Sequence, residues 1–124
     1  LFRLGNWYKG DNTTTWSTTS DQRIKENIVS LLNGLSVITA LRPVEFDYKR
    51  NNKHDVGFIA QEYETVLPEQ VYEDDAVEDD QQYVDDGKVK VISQNLVPYL
   101  VKAIQEQQAI INTLTARIEA LEGK

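Results

Sequence analysis

The sequence predicts an α+β fold: a small body of mixed helices and strands carrying a long C-terminal coiled-coil helix. Three patterns predict it. Apolar residues recur at helical spacing from Ile24 to Leu35, alternate with charged residues from Val44 to Lys49, and repeat in sevens from Val97 to Leu121. With 124 residues, the chain has room for one modest domain with limited ability to cover a core by itself.

Residues 1–19 place Phe2, Leu4, Trp7, Tyr8 and Trp16 among Gly, Asn and Thr, with turn residues at Lys9-Gly10-Asp11-Asn12. Aromatic enrichment of this kind favours strands or extended chain, read here as the end of a larger β-rich body. Leu1 is not an initiator, which suggests a fragment or a processed product.

The body is expected over 20–92. Ser20 reads as a helix N-cap and Asp21 as a first-turn acid, followed by an amphipathic helix through Ile24, Ile28, Leu31, Leu32 and Leu35. Asn33-Gly34 should interrupt it, with a second short helix running to Leu41 before Pro43. Val44, Phe46 and Tyr48 alternate with Glu45, Asp47 and Lys49 as a half-buried strand does. Asp55–Ala60 is a further strand candidate, with Gly57 marking a close backbone approach. Gln61–Leu67 reads as a helical turn closed by Pro68. Tyr83-Val84 and Val89–Ile92 flank Asp85-Asp86-Gly87-Lys88 as a hairpin, because Gly tolerates the positive φ such turns need.

Residues 93–122 read as one long helix with Pro98 in its first turn. Val97, Ile104, Ile111 and Ile118 take the a positions, and Leu100, Gln107, Leu114 and Leu121 the d positions. Ile at a with Leu at d favours two parallel strands, whereas apolar g and e positions (Leu96, Val101, Ala103, Ile110) widen the face and suit three strands or a grip on another body. Arg117 and Glu122 could pair between parallel chains, an exposed pair worth about 0–1 kcal/mol.

The net charge is −7, but residues 73–86 hold eight carboxylates and no base, so the remainder is near neutral. This run reads as a solvated loop, and its spacing does not match a calcium-binding loop; no metal or cofactor is expected. No basic stripe suggests nucleic acid or an anionic membrane surface as a partner. No apolar run is long enough to span a bilayer as a helix, and the absence of cysteine fits a reducing compartment. Asn12-Thr13-Thr14 has the glycosylation acceptor pattern.

Ser20 and Lys25 are the residue types of the smallest hydrolytic dyad. Taken alone, each has a plainer role, as a cap and as a solvated helix residue. In order, however, Ser20-Asp21-x-Arg23-x-Lys25, Leu41-x-Pro43-Val44-x-Phe46-x-Tyr48, His54-Asp55-x-Gly57-Phe58-Ile59-Ala60-Gln61-Glu62, Leu67-Pro68-Glu69-x-Val71 and the final heptads resemble a known family. It comprises the C-terminal intramolecular chaperone domains, of the endosialidase type, of bacteriophage tailspikes and tail fibres. Such domains also occur in neck-appendage proteins, and a related one in a eukaryotic membrane-bound transcription factor.

The resemblance implies a homotrimer that guides three copies of its own upstream β-stalk into an intertwined fibre in the host bacterial cytoplasm. It then cuts itself off between Thr19 and Ser20 and is absent from the mature fibre. Residues 1–19 would be the stalk end and 20–124 the chaperone. Ser20 would be the nucleophile and Lys25 its base, with Asp21 and Arg23 in support and no cofactor. His54 would sit in the central loop as a turn or interface residue rather than as the base.

On an ideal helix, five residues put the two side chains about 140° apart. Lys25 would therefore have to fold back, or a neighbouring chain supply it. Lysine accepts a proton only when neutral, against an ordinary pKa of about 10.4; Arg23 would favour the neutral form, Asp21 and Glu26 the charged one. Free N–H groups of the first helical turn could hold an oxyanion on Thr19. An N-to-O acyl shift at Ser20 is an equivalent route. The alternative from another class is a permanent trimerisation module that never cleaves; the transcription-factor version, in which cleavage frees an N-terminal regulator, is a third.

Overall fold

The computed structural model describes residues 17–123. The strand expectations for 1–16 and the acceptor pattern at Asn12 lie outside them. The chain divides into two units between Ser30 and Leu31, each described by itself.

In the first unit, residues 17–21 have no regular structure, and a single 3-10 turn follows at Gln22–Ile24. The amphipathic helix expected from Ser20 does not form. Helices are stabilised mainly by packing one face against other elements, and Ile24, Ile28 and Val29 remain 64–85% exposed. Asn27 takes a positive φ of 55°, which a continuing right-handed helix cannot accommodate. The cap also differs: Asp21, not Ser20, accepts the Arg23 N–H.

The second unit begins with helix α1, Leu35–Ala40, which ends before Pro43 as expected. Strands β1, Val44–Asp47, and β2, His54–Gly57, form an antiparallel hairpin pairing Val44 with Gly57 and Asp47 with His54. β2 is shorter than the sequence suggested, because Ala60 already opens helix α2, Ala60–Glu64. A 3-10 turn at Pro68–Gln70 leads into β3, Val71–Asp75. β4, Lys88–Ile92, pairs antiparallel with β3 from Val71–Ile92 to Asp75–Lys88.

This corrects the expected hairpin. Tyr83-Val84 is not the partner of Val89–Ile92; Tyr83 ends a 3-10 helix, Glu78–Tyr83, inside a longer loop. Gly87 nevertheless takes its positive φ, 71°. The acidic run is not all loop, since Glu73, Asp74 and Asp75 lie on β3. Lys88 reaches Asp75 across the strands, and Arg50 reaches Asp80 at 2.6 Å.

Tyr63, Leu67 and Leu96 form the core, with Ile38, Leu41, Phe58 and Tyr99 packed around them. Gln70 is buried and hydrogen-bonded through both ends of its amide. It accepts from the Tyr63 hydroxyl and from Asn95 N at 2.9 Å, and its amide donates to Asn95 O at 3.1 Å. This ties the start of the long helix to α2. Buried polar groups must find such partners or cost stability.

Helix α3, Val97–Glu122, is the predicted long helix, with Pro98 in its first turn. It meets α1 at a close crossing. A Cβ on Gly34 would lie 2.6 Å from Lys102 Cβ and Tyr99 O, and closer still to Ala103 N. Glu106 Oε1 accepts from Gly34 N at 2.7 Å and Leu35 N at 3.4 Å, capping α1 from another helix. The close approach assigned to Gly57 therefore belongs to Gly34. At Gly57 a Cβ would make only an ordinary 3.5 Å contact with Phe46 Cε2.

Candidate functional site: the serine–lysine turn and the bare seam

Within the first unit, Lys25 Nζ donates to Ser20 Oγ at 2.6 Å. The absence of the expected helix makes this contact available. Lys25 closes the 3-10 turn, donating its N–H to Gln22 O at 3.1 Å, and continues in extended backbone at φ −121°, ψ 151°. Its side chain can then turn back along the turn to the residue preceding it. The five-residue separation is short in this geometry.

Asp21 and Arg23 rigidify the turn between them. Arg23 donates its backbone N–H to Asp21 Oδ1 at 2.8 Å, and its guanidinium grips both carboxylate oxygens, Nε to Oδ1 at 3.1 Å and Nη2 to Oδ2 at 2.8 Å. The guanidinium and the backbone N–H hold the Asp21 carboxyl below the usual carboxylate range, and the carboxylate raises Arg23 in turn. The two opposite charges that precede Lys25 in sequence are thus spent on each other. The pair is exposed, so its value is geometric rather than a large term in stability.

Thr19 and Ser20 are exposed and without regular structure. The oxyanion expectation needs correction. One three-residue turn has no helix-terminal field to offer, and the Arg23 N–H is already committed to Asp21.

The second feature is the α3 seam. Val97, Leu100, Ile104, Ile111, Leu114, Ile118 and Leu121 are each 43–69% exposed. The helix packs on its own body by a different face: Ala103 is buried, and Tyr99, Lys102 and Glu106 are half-buried. Gln107, the polar d residue, is exposed with the seam. Two of the four apolar flanking residues, Leu96 and Ala103, are consumed internally at 8% and 5% exposure, whereas Val101 and Ile110 stay open. The wide face read from the sequence is thus narrower on its g side than its composition suggests.

His54 opens β2 rather than sitting in a loop. Its Nδ1 lies 2.8 Å from Asp47 Oδ1 and its Nε2 3.0 Å from Glu45 Oε1. Hydrogen bonds to Asp47 first, then Glu45, raise its pKa above the ordinary histidine value. Glu62 forms a two-point pair with Arg42 at 2.9 and 2.7 Å. The Glu106 cap was missed, and Gly34 was read only as a helix interruption rather than as the close crossing it forms with α3. No helix among the described residues is long and apolar enough to cross a membrane.

Residues 20–72 match the model of a family described as the chaperone of endosialidase, Peptidase_S74. The match supports, over this stretch, the family resemblance read from the motifs, with a chaperone in the family's description and a peptidase in its name. The match starts at Ser20 and ends within β3, so the Ser20–Lys25 turn, β1–β2 and α2 fall inside it and α3 lies beyond.

Proposed function

We propose that this chain is an intramolecular chaperone that trimerises, guides folding of the β-stalk of a phage fibre or tailspike, and then releases itself by cutting between Thr19 and Ser20. The observation that carries this reading is the 2.6 Å hydrogen bond from Lys25 Nζ to Ser20 Oγ, at the residue where the family match begins.

In the proposed reaction, an N-to-O acyl shift with Lys25 as base, the neutral Lys25 amine takes the Ser20 hydroxyl proton as Oγ attacks the carbonyl carbon of Thr19. The carbon–nitrogen bond breaks, and the proton passes to the departing Ser20 nitrogen. Water then opens the resulting ester, leaving a carboxylate on Thr19 and restoring the Ser20 hydroxyl. The Asp21–Arg23 clamp acts as a positioning device, holding the turn so that nucleophile and base stay in register. The reaction turns over once per chain.

The bare seam supports the assembly half of the proposal. A face repeating over four heptads is costly to leave in water, at about 25 cal/mol per Å² of apolar surface. Joining three copies buries it and raises the effective concentration of three stalk ends. Register-sensitive β-assembly is slow, so a temporary clamp helps, and cleavage makes the product kinetically persistent. The partners are two further copies and the upstream stalk, in the host bacterial cytoplasm. The test is to express the chain behind its stalk. Two bands on a denaturing gel in wild type, against one in Ser20→Ala and in Lys25→Ala, are expected; an uncut wild-type trimer overturns the release half.

A further inference from the structure

We propose that the apolar groove at the root of α3 is the receptor for Val101 of a neighbouring copy, so that the chaperone bodies, and not only their helices, interlock around the three-fold. This rests on the parallel trimer proposed above.

The groove has a volume of about 440 Å³ and is lined chiefly by Ile38, Leu41, Phe58, Leu96, Val97 and Leu100. Val97 and Leu100 are also the first a and d residues of the seam, so the groove is continuous with it. In a parallel coiled coil, the g position of one helix faces the e position of the next. Leu96 occupies the first g position, and Val101 is the following e residue. The pairing that joins Arg117 to Glu122 of the next chain, one g to the following e, therefore brings a neighbour's Val101 over Leu96.

The two surfaces are complementary in kind. Leu96 is 8% exposed, since its own body wraps that flank of the helix, and the groove opens beside it. Val101 is a β-branched apolar side chain left 49% exposed. One heptad higher the next e position is Gln108, opposite the flank where Ala103 is covered by α1. Apolar character at e thus coincides with the groove and stops where the groove stops. Each copy gives one Val101 and receives one, the head-to-tail contact that closes a ring.

The chain has no cysteine, so a disulfide test has no background. Copies carrying Leu41→Cys and copies carrying Val101→Cys are refolded together and oxidised. A dimer-mass band in the mixture, absent from either variant alone, is expected. In a second arm, Val101→Asp should weaken the trimer about ten-fold or more, as burying an unpaired carboxylate requires, while Gln108→Asp shifts it by less than about two-fold. Trimers by light scattering with no cross-link and equal shifts for the two Asp variants overturn the groove proposal and leave the seam standing. Wild-type chains that scatter as monomers overturn the trimer itself.

Discussion

Replacing Gly34 by Ala should separate the two helices that define the body. The residue has φ −119° and ψ −54°, so alanine meets no left-handed backbone and the effect is one of space. The new Cβ would stand 2.6 Å from Lys102 Cβ, whereas carbon atoms prefer about 3.5–4.0 Å. Relief requires α1 and α3 to part by ~1 Å at their crossing. That shift stretches the 2.7 Å bond from Gly34 N to Glu106 Oε1 out of hydrogen-bond range. Overpacking costs about 1–3 kcal/mol and loss of a charge-assisted bond about 1.5–3 kcal/mol, together about 3–5 kcal/mol. For a body of this size the midpoint should fall by on the order of 15 °C or more. Far-UV circular dichroism melts at one fixed chain concentration would measure it, because oligomer stability moves with concentration. Gly57→Ala, whose Cβ only touches Phe46 at 3.5 Å, should stay near wild type. A Gly34→Ala midpoint within about 2 °C of wild type would refute the close-crossing argument.

His54 is the only histidine in the chain, so its ring resonance can be followed without assignment. Its titration midpoint should lie above the ordinary histidine value, and Asp47→Asn or Glu45→Gln should each lower it. Because the folded value is raised, its contribution to the β1–β2 hairpin is complete below the ordinary value near 6.5 and is lost as pH rises through the raised one. A midpoint equal to that of an unstructured peptide counts against the carboxylate sandwich. If Ser20 and Lys25 act from the same chain, trimers mixed from Ser20→Ala and Lys25→Ala copies should remain uncut. Cleavage of the Lys25→Ala copies in such mixtures would assign the lysine to a neighbour.

The elements legible in the sequence were those whose pattern and partner coincide. Val97 to Glu122 forms a helix as the heptads require, and Gly34 and Pro43 bracket α1 as punctuation residues do. β1 follows the Val44, Phe46, Tyr48 alternation as far as Asp47, where the strand ends. The failures are places where local pattern lost to what surrounds it. Ile24, Ile28 and Leu32 have helical spacing but stay 64–79% exposed, and spacing alone does not hold a helix of that length.

At the hairpin, turn chemistry around Gly87 was right but the partner strand was wrong. Tyr83 is drawn away towards Lys49, its hydroxyl donating to Lys49 O at 3.4 Å, and β4 pairs instead with Val71–Asp75. Facing acids and lysines there, Glu73 opposite Lys90 and Asp75 opposite Lys88, were a signal the sequence did contain. At the site, residue types and order were legible, but their contact was not: it depends on the turn being 3-10 and short. The Asp21-Gln22-Arg23 pattern marks that turn only once the carboxylate is seen to accept both the backbone N–H and the guanidinium.

Intact mass spectrometry of the chain expressed behind its native stalk bears most directly on self-release. A product whose mass begins at Ser20 with a free amine, matched by a stalk ending at Thr19, is predicted for wild type and absent for Ser20→Ala and Lys25→Ala. A single uncut wild-type mass in an assembled trimer, or a cut at any other bond, would contradict it.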